Sequence, residues 1–313
     1  MNRDASIFVA GQNGLVGSAI RRALTARGFT NLIDRARSGL DLREQSAVDE
    51  FFASTRPDYV FMAAAKVGGI AANDAYPADF IRDNLQMQTN VIDAAYRNAT
   101  KKLCYFGSSC IYPRLASQPL REDSLLTGPL EPTNQWYAIA KIAGVKMCQA
   151  YARQYGFDAI SIMPTNLYGP GDNFDLETSH VLPALIRKFH EGKQRGDDSV
   201  TVWGSGTPRR EFLYVDDLAD AACFLMETYA SSEIINVGVG EDITIAELAG
   251  LVREIVGFAG DIVFDRSKPD GTPRKLLDVT KLSGLGWHPR TRLEDGIRAT
   301  YAWYLRGPNT IRD

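Results

Sequence analysis

Histidine and cysteine are scarce in this chain: three of the first and four of the second among 313 residues. Cys104, Cys110, Cys148 and Cys223 form no Cys-x-x-Cys pair and no metal-ligand spacing. The sequence therefore implies no metal site and no disulfide framework, and it suits a reducing compartment. Long apolar runs are missing too. The longest, Tyr59 to Ala65, falls far short of the ~20 residues a membrane helix needs. The opening MNRDASIFVAG lacks the basic and apolar tracts of a signal peptide, so a cytoplasmic protein is the expectation. Nor does one sign of charge dominate: 35 Lys and Arg stand against 38 Asp and Glu, mixed along the chain, for a net charge of −3. Without a basic stripe neither nucleic acid nor an anionic membrane is implied as a partner, and a polyanionic ligand must be held by a few placed cations.

What is present is a globular balance, 45% hydrophobic and 23% charged. Short apolar runs alternate with amphipathic stretches through the first half. Strands are expected at Ser6–Ala10, Asn31–Arg35, Tyr59–Ala65, Leu103–Phe106 and Ala159–Met163. Helices are expected at Leu15–Arg27, Glu44–Ser54, Ala78–Asn98 and Trp136–Tyr155. Strands this apolar, separated by helices, require a parallel sheet covered on both faces: a doubly wound α/β (Rossmann) fold. Beyond Pro164 the pattern loosens. It leaves a helix at Val181–Glu191, a loop at Gly192–Ser199, a strand at Glu233–Val237 and helices at Ile245–Val256 and Leu293–Leu305. We expect residues 1–170 and 212–238 to form the dinucleotide-binding domain. Residues 171–211 and 239–313 are then a smaller, discontinuous C-terminal substrate domain.

The first strand runs into VAGQNGLVGSAI, whose Gly11, Gly14 and Gly17 follow a strand and open a helix. Glycines there permit a tight turn and let a pyrophosphate sit against the N–H groups of the helix N-terminus, so a dinucleotide is expected. The second strand ends in both kinds of signal. Asp34 would suit the ribose hydroxyls of NAD, whereas Arg35 and Arg37 would suit the 2′-phosphate of NADP. Two arginines within three residues favour NADP. Asp41 and Leu42, just beyond, are placed to meet adenine.

Tyr137 and Lys141 lie four apart in WYAIAKIAG and share one helix face. An ammonium near a phenol favours its ionised form, making Tyr137 a workable acid/base, and Lys141 can also hold the nicotinamide ribose. Ser108, at a strand end, can add a hydrogen bond to a carbonyl oxygen. Cys110 follows at once in GSSCIYP. On its own, a thiol there reads most simply as a small packing residue.

These motifs, with PTNLYGP (Pro164–Pro170) and RREFLYVDDLADA (Arg209–Ala221), resemble the extended short-chain dehydrogenase/reductases that act on nucleotide sugars. The resemblance sharpens at AAAKVGGI (Ala63–Ile70), GSSCIYP, LEPTN with YAIAKIAG, SHVLPALIRKFHE (Ser179–Glu191), WGSGTPRREF (Trp203–Phe212) and KPDGTPRKLLDVTKL (Lys268–Leu282). Along nearly the whole chain these are similar to the GDP-L-fucose synthase family. That resemblance implies 3,5-epimerisation and NADPH-dependent 4-reduction of GDP-4-keto-6-deoxy-D-mannose. Inverting C3 and C5 needs two acid/base groups on opposite ring faces, and the family's cysteine and histidine fall on Cys110 and His180. Ser108 and Tyr137 would hold the enolate oxygen, and Tyr137 would protonate O4.

By the same resemblance the NADP contacts fall on the whole first turn, with Gln12, Asn13, Leu15 and Val16 between the glycines. They continue over Phe106, Gly107, Ser108 and Ser109, over Pro164, Thr165, Asn166 and Leu167, and over Lys141 and His180. The GDP-sugar contacts fall on Lys188, Trp203, Arg210 and Asp270. Lys66 is expected to face the site without an assigned role. The family pairs the helices at Ala78–Asn98 and Trp136–Tyr155 into a four-helix bundle, so a homodimer is expected. Two positions depart from the family: Gln12-Asn13 stands where G-H-R-G is common, and Thr178 stands where Asn often precedes Ser-His. The motifs do not separate a 6-deoxyhexose from a GDP-linked 3,6-dideoxyhexose or heptose. A reductase that does not epimerise, a dehydratase or simple 4-epimerase, and a silent NADP-binding protein are the other readings. Ser109-Cys110 replaces the acidic pair expected of dehydratases, and the intact Ser108, Tyr137 and Lys141 argue against a silent protein.

Overall fold

The computed structural model describes residues 1–35, 37–268 and 270–307. Its first half runs β1 (Ile7–Ala10), α1 (Leu15–Ala26), β2 (Leu32–Ile33), α2 (Gln45–Thr55), β3 (Tyr59–Met62), α3 (Ile70–Ala75), α4 (Pro77–Arg97), β4 (Lys102–Phe106), α5 (Gln135–Tyr155) and β5 (Ala159–Pro164). The second half contributes β6 (Asn166–Tyr168), α6 (Val181–Arg195), β7 (Ser199–Trp203), β8 (Arg209–Arg210), β9 (Phe212–Tyr214), α7 (Val215–Thr228), β10 (Ile235–Val237), β11 (Ile243–Thr244), α8 (Ile245–Val256), β12 (Asp261–Asp265), β13 (Arg274–Lys275), α9 (Thr280–Gly284) and α10 (Leu293–Leu305).

Six parallel strands form the central sheet in the order β10-β5-β4-β3-β1-β2. Strands β1 and β4 are buried throughout, as a sheet covered on both faces demands. One apolar cluster, including Phe8, Phe52, Val91, Tyr105 and Val145, fills the side of α2, α4 and α5. A second, including Ile7, Leu24, Phe61, Leu218 and Leu225, fills the side of α1 and α7. The chain order reverses at β1, with β2 on one flank and β3 on the other, and the crevice beyond the strand ends at such a reversal is where α/β proteins bind ligands.

Helices α6, α8 and α10 gather around a third cluster that includes Leu185, Phe189, Leu248, Val252 and Ile297. Here β7 pairs with β12, and β8 lies between β11 and β13. Helix α6 does not stop at Glu191 as expected but continues to Arg195 through Gly192. A Cβ at Gly192 would sit 2.9 Å from Val200 Cγ2, so the glycine brings helix and strand together rather than ending the helix. Gly196, at φ 72°, is the terminator. Among the described residues no helix is long and apolar enough to cross a membrane.

Candidate active site

The glycine turn is built for close approach. Gly11 adopts φ +83°, and a Cβ there would lie 2.8 Å from the Ala64 backbone at the end of β3. A Cβ on Gly17 would overlap the Gly11 carbonyl, while Gly14 N donates to Gly11 O at 2.9 Å. Gly14 caps α1 with no side chain of its own, so the helix's first N–H groups face the crevice. This cradle fits a dinucleotide pyrophosphate. Leu15 and Val16 pack against the second apolar cluster. Gln12 is buried and donates to Asp34 Oδ1. Its Oε1 accepts from Arg21 Nη1 at 2.8 Å. Those hydrogen bonds and the Arg21 charge hold the Asp34 carboxyl below its ordinary range. Arg35 is exposed at the strand end, its guanidinium 6.0 Å from the Phe51 ring centroid. Arg37 opens a short turn, and its side chain lies outside the described residues. Asp41 pairs with Arg43 at 2.6 Å, and Leu42 is buried in the first cluster.

At the end of β4 the chain passes buried Phe106 and Gly107, where a Cβ would overlap Met163. Ser108 is extended, and its Oγ accepts from Cys110 N at 3.2 Å, capping a single turn over Ser109–Ile111. That cap presents Cys110 beside Ser108, with Ser109 turned into the interior. Tyr137 and Lys141 face this strand end from α5, with Lys141 Nζ 5.9 Å from the Tyr137 ring centroid. Lys141 Nζ donates to Phe106 O at 2.8 Å. Burial brings the Lys141 ammonium down to about 7. The Tyr137 phenol is pushed up by burial and by Cys110, with Ser108 acting the other way. Burial favours the neutral form of both groups, so Tyr137 stands as a protonated donor.

Cys110 has a partner that sequence reading missed. Lys275, from β13, places Nζ 3.5 Å from Cys110 Sγ. Burial opposes ionisation of this thiol, but Lys275, Ser108 and Arg210 together bring it below its ordinary value. Lys275 also bears on His180: lost solvation and then that charge hold the imidazole below its ordinary value, although the residue still reaches the surface. His180 caps α6. Its loop is pinned to the stretch after β3: Gly69 N donates to Thr178 O at 3.0 Å, and a Cβ on Gly69 would sit 2.8 Å from Ser179 O. The Thr178 hydroxyl turns back into its own loop, 2.9 Å from Asp175 Oδ1 and 2.8 Å from Asn173 Nδ2. The departure at Thr178 thus shapes this loop from within.

Further along the cleft Trp203 is 51% exposed, with Lys188 Nζ 5.2 Å and Lys268 Nζ 5.3 Å from its ring centroid. Lys188 also donates to Thr201 O at 3.0 Å. Arg210 is enclosed near Cys110 and Asp270, and burial lowers its pKa. Asp270 accepts from Ser205 N at 2.7 Å and Ser205 Oγ at 2.8 Å, fixing the turn after Trp203. Thr165 and Asn166 both hydrogen-bond Glu211 O, which holds the stretch from Pro164 through Leu167 at the end of β5. Lys66 is the residue expected to face the site. Its Nζ pairs with Asp79 at 2.9 Å and Asp83 at 3.3 Å on α4, because a cation at a strand end takes the nearest carboxylates. Lys275 carried no local signal, since it stands 165 residues from Cys110 in sequence. Lys268 was equally silent.

A glycine cradle, a strand-end serine and a Tyr-Lys helix face coincide with a match of residues 7–238 to the model of the NAD dependent epimerase/dehydratase family. The chain belongs to that family. Within it, this chain is 60% identical over 305 residues to GDP-L-fucose synthase 1 of Arabidopsis thaliana, covering 97% of this chain and 94% of that protein. Among solved structures, a GDP-6-OMe-4-keto-L-xylo-heptose reductase from C. jejuni superposes with a TM-score of 0.93 at 40% identity, covering 98% of this chain and 99% of that one. A GDP-L-fucose synthetase from Naegleria fowleri bound to NADP gives a TM-score of 0.92 at 32% identity, covering 100% and 98%.

Proposed function

We propose that the protein is an NADP-dependent epimerase/reductase that converts GDP-4-keto-6-deoxy-D-mannose to GDP-L-fucose. The observation that carries this reading is the Lys275 ammonium 3.5 Å from Cys110 Sγ, because a reductase that does not epimerise has no use for an ionisable thiol beside its carbonyl site. The 4-keto group acidifies the hydrogens on C3 and C5. Cys110 and His180 exchange protons with those carbons from opposite faces, one taking and the other returning. Ser108 and Tyr137 donate hydrogen bonds to O4, where the enolate charge gathers. The lowered thiol and a neutral imidazole both suit reversible exchange near pH 7.

The cofactor, when bound, would supply the hydride that reduces C4. Tyr137, held protonated by burial, gives its proton to O4 in that step. Lys141, anchored to Phe106 O, lies where it can hold the nicotinamide ribose and restore the phenol proton. Arg210 and Lys188 take the diphosphate, and Trp203 offers its open ring to the base. Asp270 acts by fixing the turn that carries Trp203 and by meeting the nucleotide at its edge. In this reading residues 1–170 and 212–238 serve the cofactor, while 171–211 and 239–313 serve the nucleotide sugar. The protein works in the cytoplasm as a homodimer through α4 and α5; on α5, Trp136, Ile139 and Tyr155 lie exposed.

The reading is tested with Cys110→Ser, NADPH and the 4-keto sugar. Reduction should continue, with a product that keeps the starting configuration at C3 and C5. A product inverted at both carbons would remove Cys110 from the mechanism.

A further inference from the structure

Two features of the cofactor end work against each other. Asp34 ends β2 as an exposed carboxylate, the arrangement that accepts the ribose hydroxyls of NADH and repels the 2′-phosphate of NADPH. The turn itself brings no cation, since Gln12-Asn13 occupies it. What the structure supplies is Arg21, reaching across from the second turn of α1. Its Nη1 lies 3.1 Å from Asp34 Oδ1 and 2.8 Å from Gln12 Oε1. Gln12 is 4% exposed and uses both ends of its amide: Nε2 donates to Asp34 Oδ1, and Oε1 accepts from Arg21 and, at 3.4 Å, from the backbone N of Arg35. A buried amide with both ends engaged has one orientation, so it fixes the guanidinium against the carboxylate. Among the described residues Arg21 Nε and Nη2 donate to no protein group, and the side chain is 32% exposed.

We propose that Arg21 is the residue that decides between the two dinucleotides: by neutralising Asp34 it lets the pocket accept a 2′-phosphate at a strand end that would otherwise select NADH. The inference rests on the NADP-dependent reading above. It assigns Gln12 the task of aligning the pair and leaves Arg35 as the exposed cation beside it.

The test is direct binding of NADPH and of NADH to the full-length protein by calorimetry at fixed ionic strength, with no sugar present. Arg21→Met should weaken NADPH by ~10-fold or more and leave NADH within ~3-fold of wild type. Asp34→Asn should weaken NADH and leave NADPH equal or tighter. The double variant should return NADPH to within ~3-fold of wild type, since removing the carboxylate removes the need for its neutraliser. Equal losses for both dinucleotides in Arg21→Met, or a double variant as weak for NADPH as Arg21→Met, would overturn the proposal. Should Arg21→Met fail to fold, Asp34→Asn alone decides: an unchanged NADPH-to-NADH ratio contradicts it. Wild-type protein that binds neither dinucleotide would instead sink the cofactor reading itself.

Discussion

Lys141 sits where burial and chemistry conflict. Its ammonium is anchored to Phe106 O, yet enclosure brings it down to about 7, against ~10.4 for a free lysine. Between those values the unfolded chain holds a proton that the folded, ligand-free chain does not. Stability should therefore rise as pH climbs from about 7 toward ~10.4, with the full penalty present below the lower value. Lys141→Met should flatten that part of a pH series of thermal midpoints, and an unchanged slope would show that Lys141 stays charged. A second prediction concerns the thiol. Lys275→Met should raise the Cys110 pKa and slow its alkylation by iodoacetamide near pH 7 roughly tenfold. Equal rates would mean that Lys275 does not tune it. At this scale the sequence was legible where chemistry is local. Ser108, Tyr137 and Lys141 could be picked out because strand end and helix face set their spacing, whereas Cys110 took its role only from the family resemblance. Lys275 could not, because only the fold of the C-terminal third carries it to Cys110. The partners of Lys66 on α4, Asp79 and Asp83, were equally invisible before the helix was placed.

Two elements do more than their length suggests. The turn into α1 depends on Gly17, where any Cβ overlaps the Gly11 carbonyl. Gly17→Ala should cost at least ~10-fold in NADPH affinity by titration while α1 keeps its place in the core. Retained affinity would mean that the turn tolerates reshaping. The segment between β8 and β9 is the other. Glu211 is fully buried and accepts from Val239 N, Gly240 N and Leu277 N, tying the end of β10 and the stretch after β13 to one carboxylate. Glu211→Gln puts an amide donor among those N–H groups and should lower stability by ~2–4 kcal/mol in urea unfolding. Loss below ~1 kcal/mol would show that the carboxylate is dispensable. The sequence pattern found the sheet strands because they are apolar throughout, and their helices because each buries one clear face. It missed α7, which lies in a motif read for its chemistry, and it ended α6 at a glycine that packing carries through. It also missed β7 with β12, whose pairing no local pattern announces.

For the molecule as a whole, the parallel sheet and its reversal at β1 bring the ends of β1, β3 and β4 to one crevice, and the elements around the third apolar cluster bring Lys275 and α6 over it. The α/β class was legible because a buried parallel sheet needs unbroken apolar strands. The way the C-terminal part closes the cleft was not, because its strands are short and pair across long stretches of chain. The exposed Trp136, Ile139 and Tyr155 of α5 lead to a dimer of twice the chain mass in light scattering. A single-chain mass would leave that face to another role. The central claim is that one cleft both epimerises and reduces. It is tested most directly by incubating the protein with GDP-4-keto-6-deoxy-D-mannose in D₂O, with and without NADPH, while following C3 and C5 by NMR and the nicotinamide by absorbance. The account predicts deuterium at both carbons without NADPH and oxidation of NADPH when it is added. Oxidation with no deuterium at either carbon would contradict it.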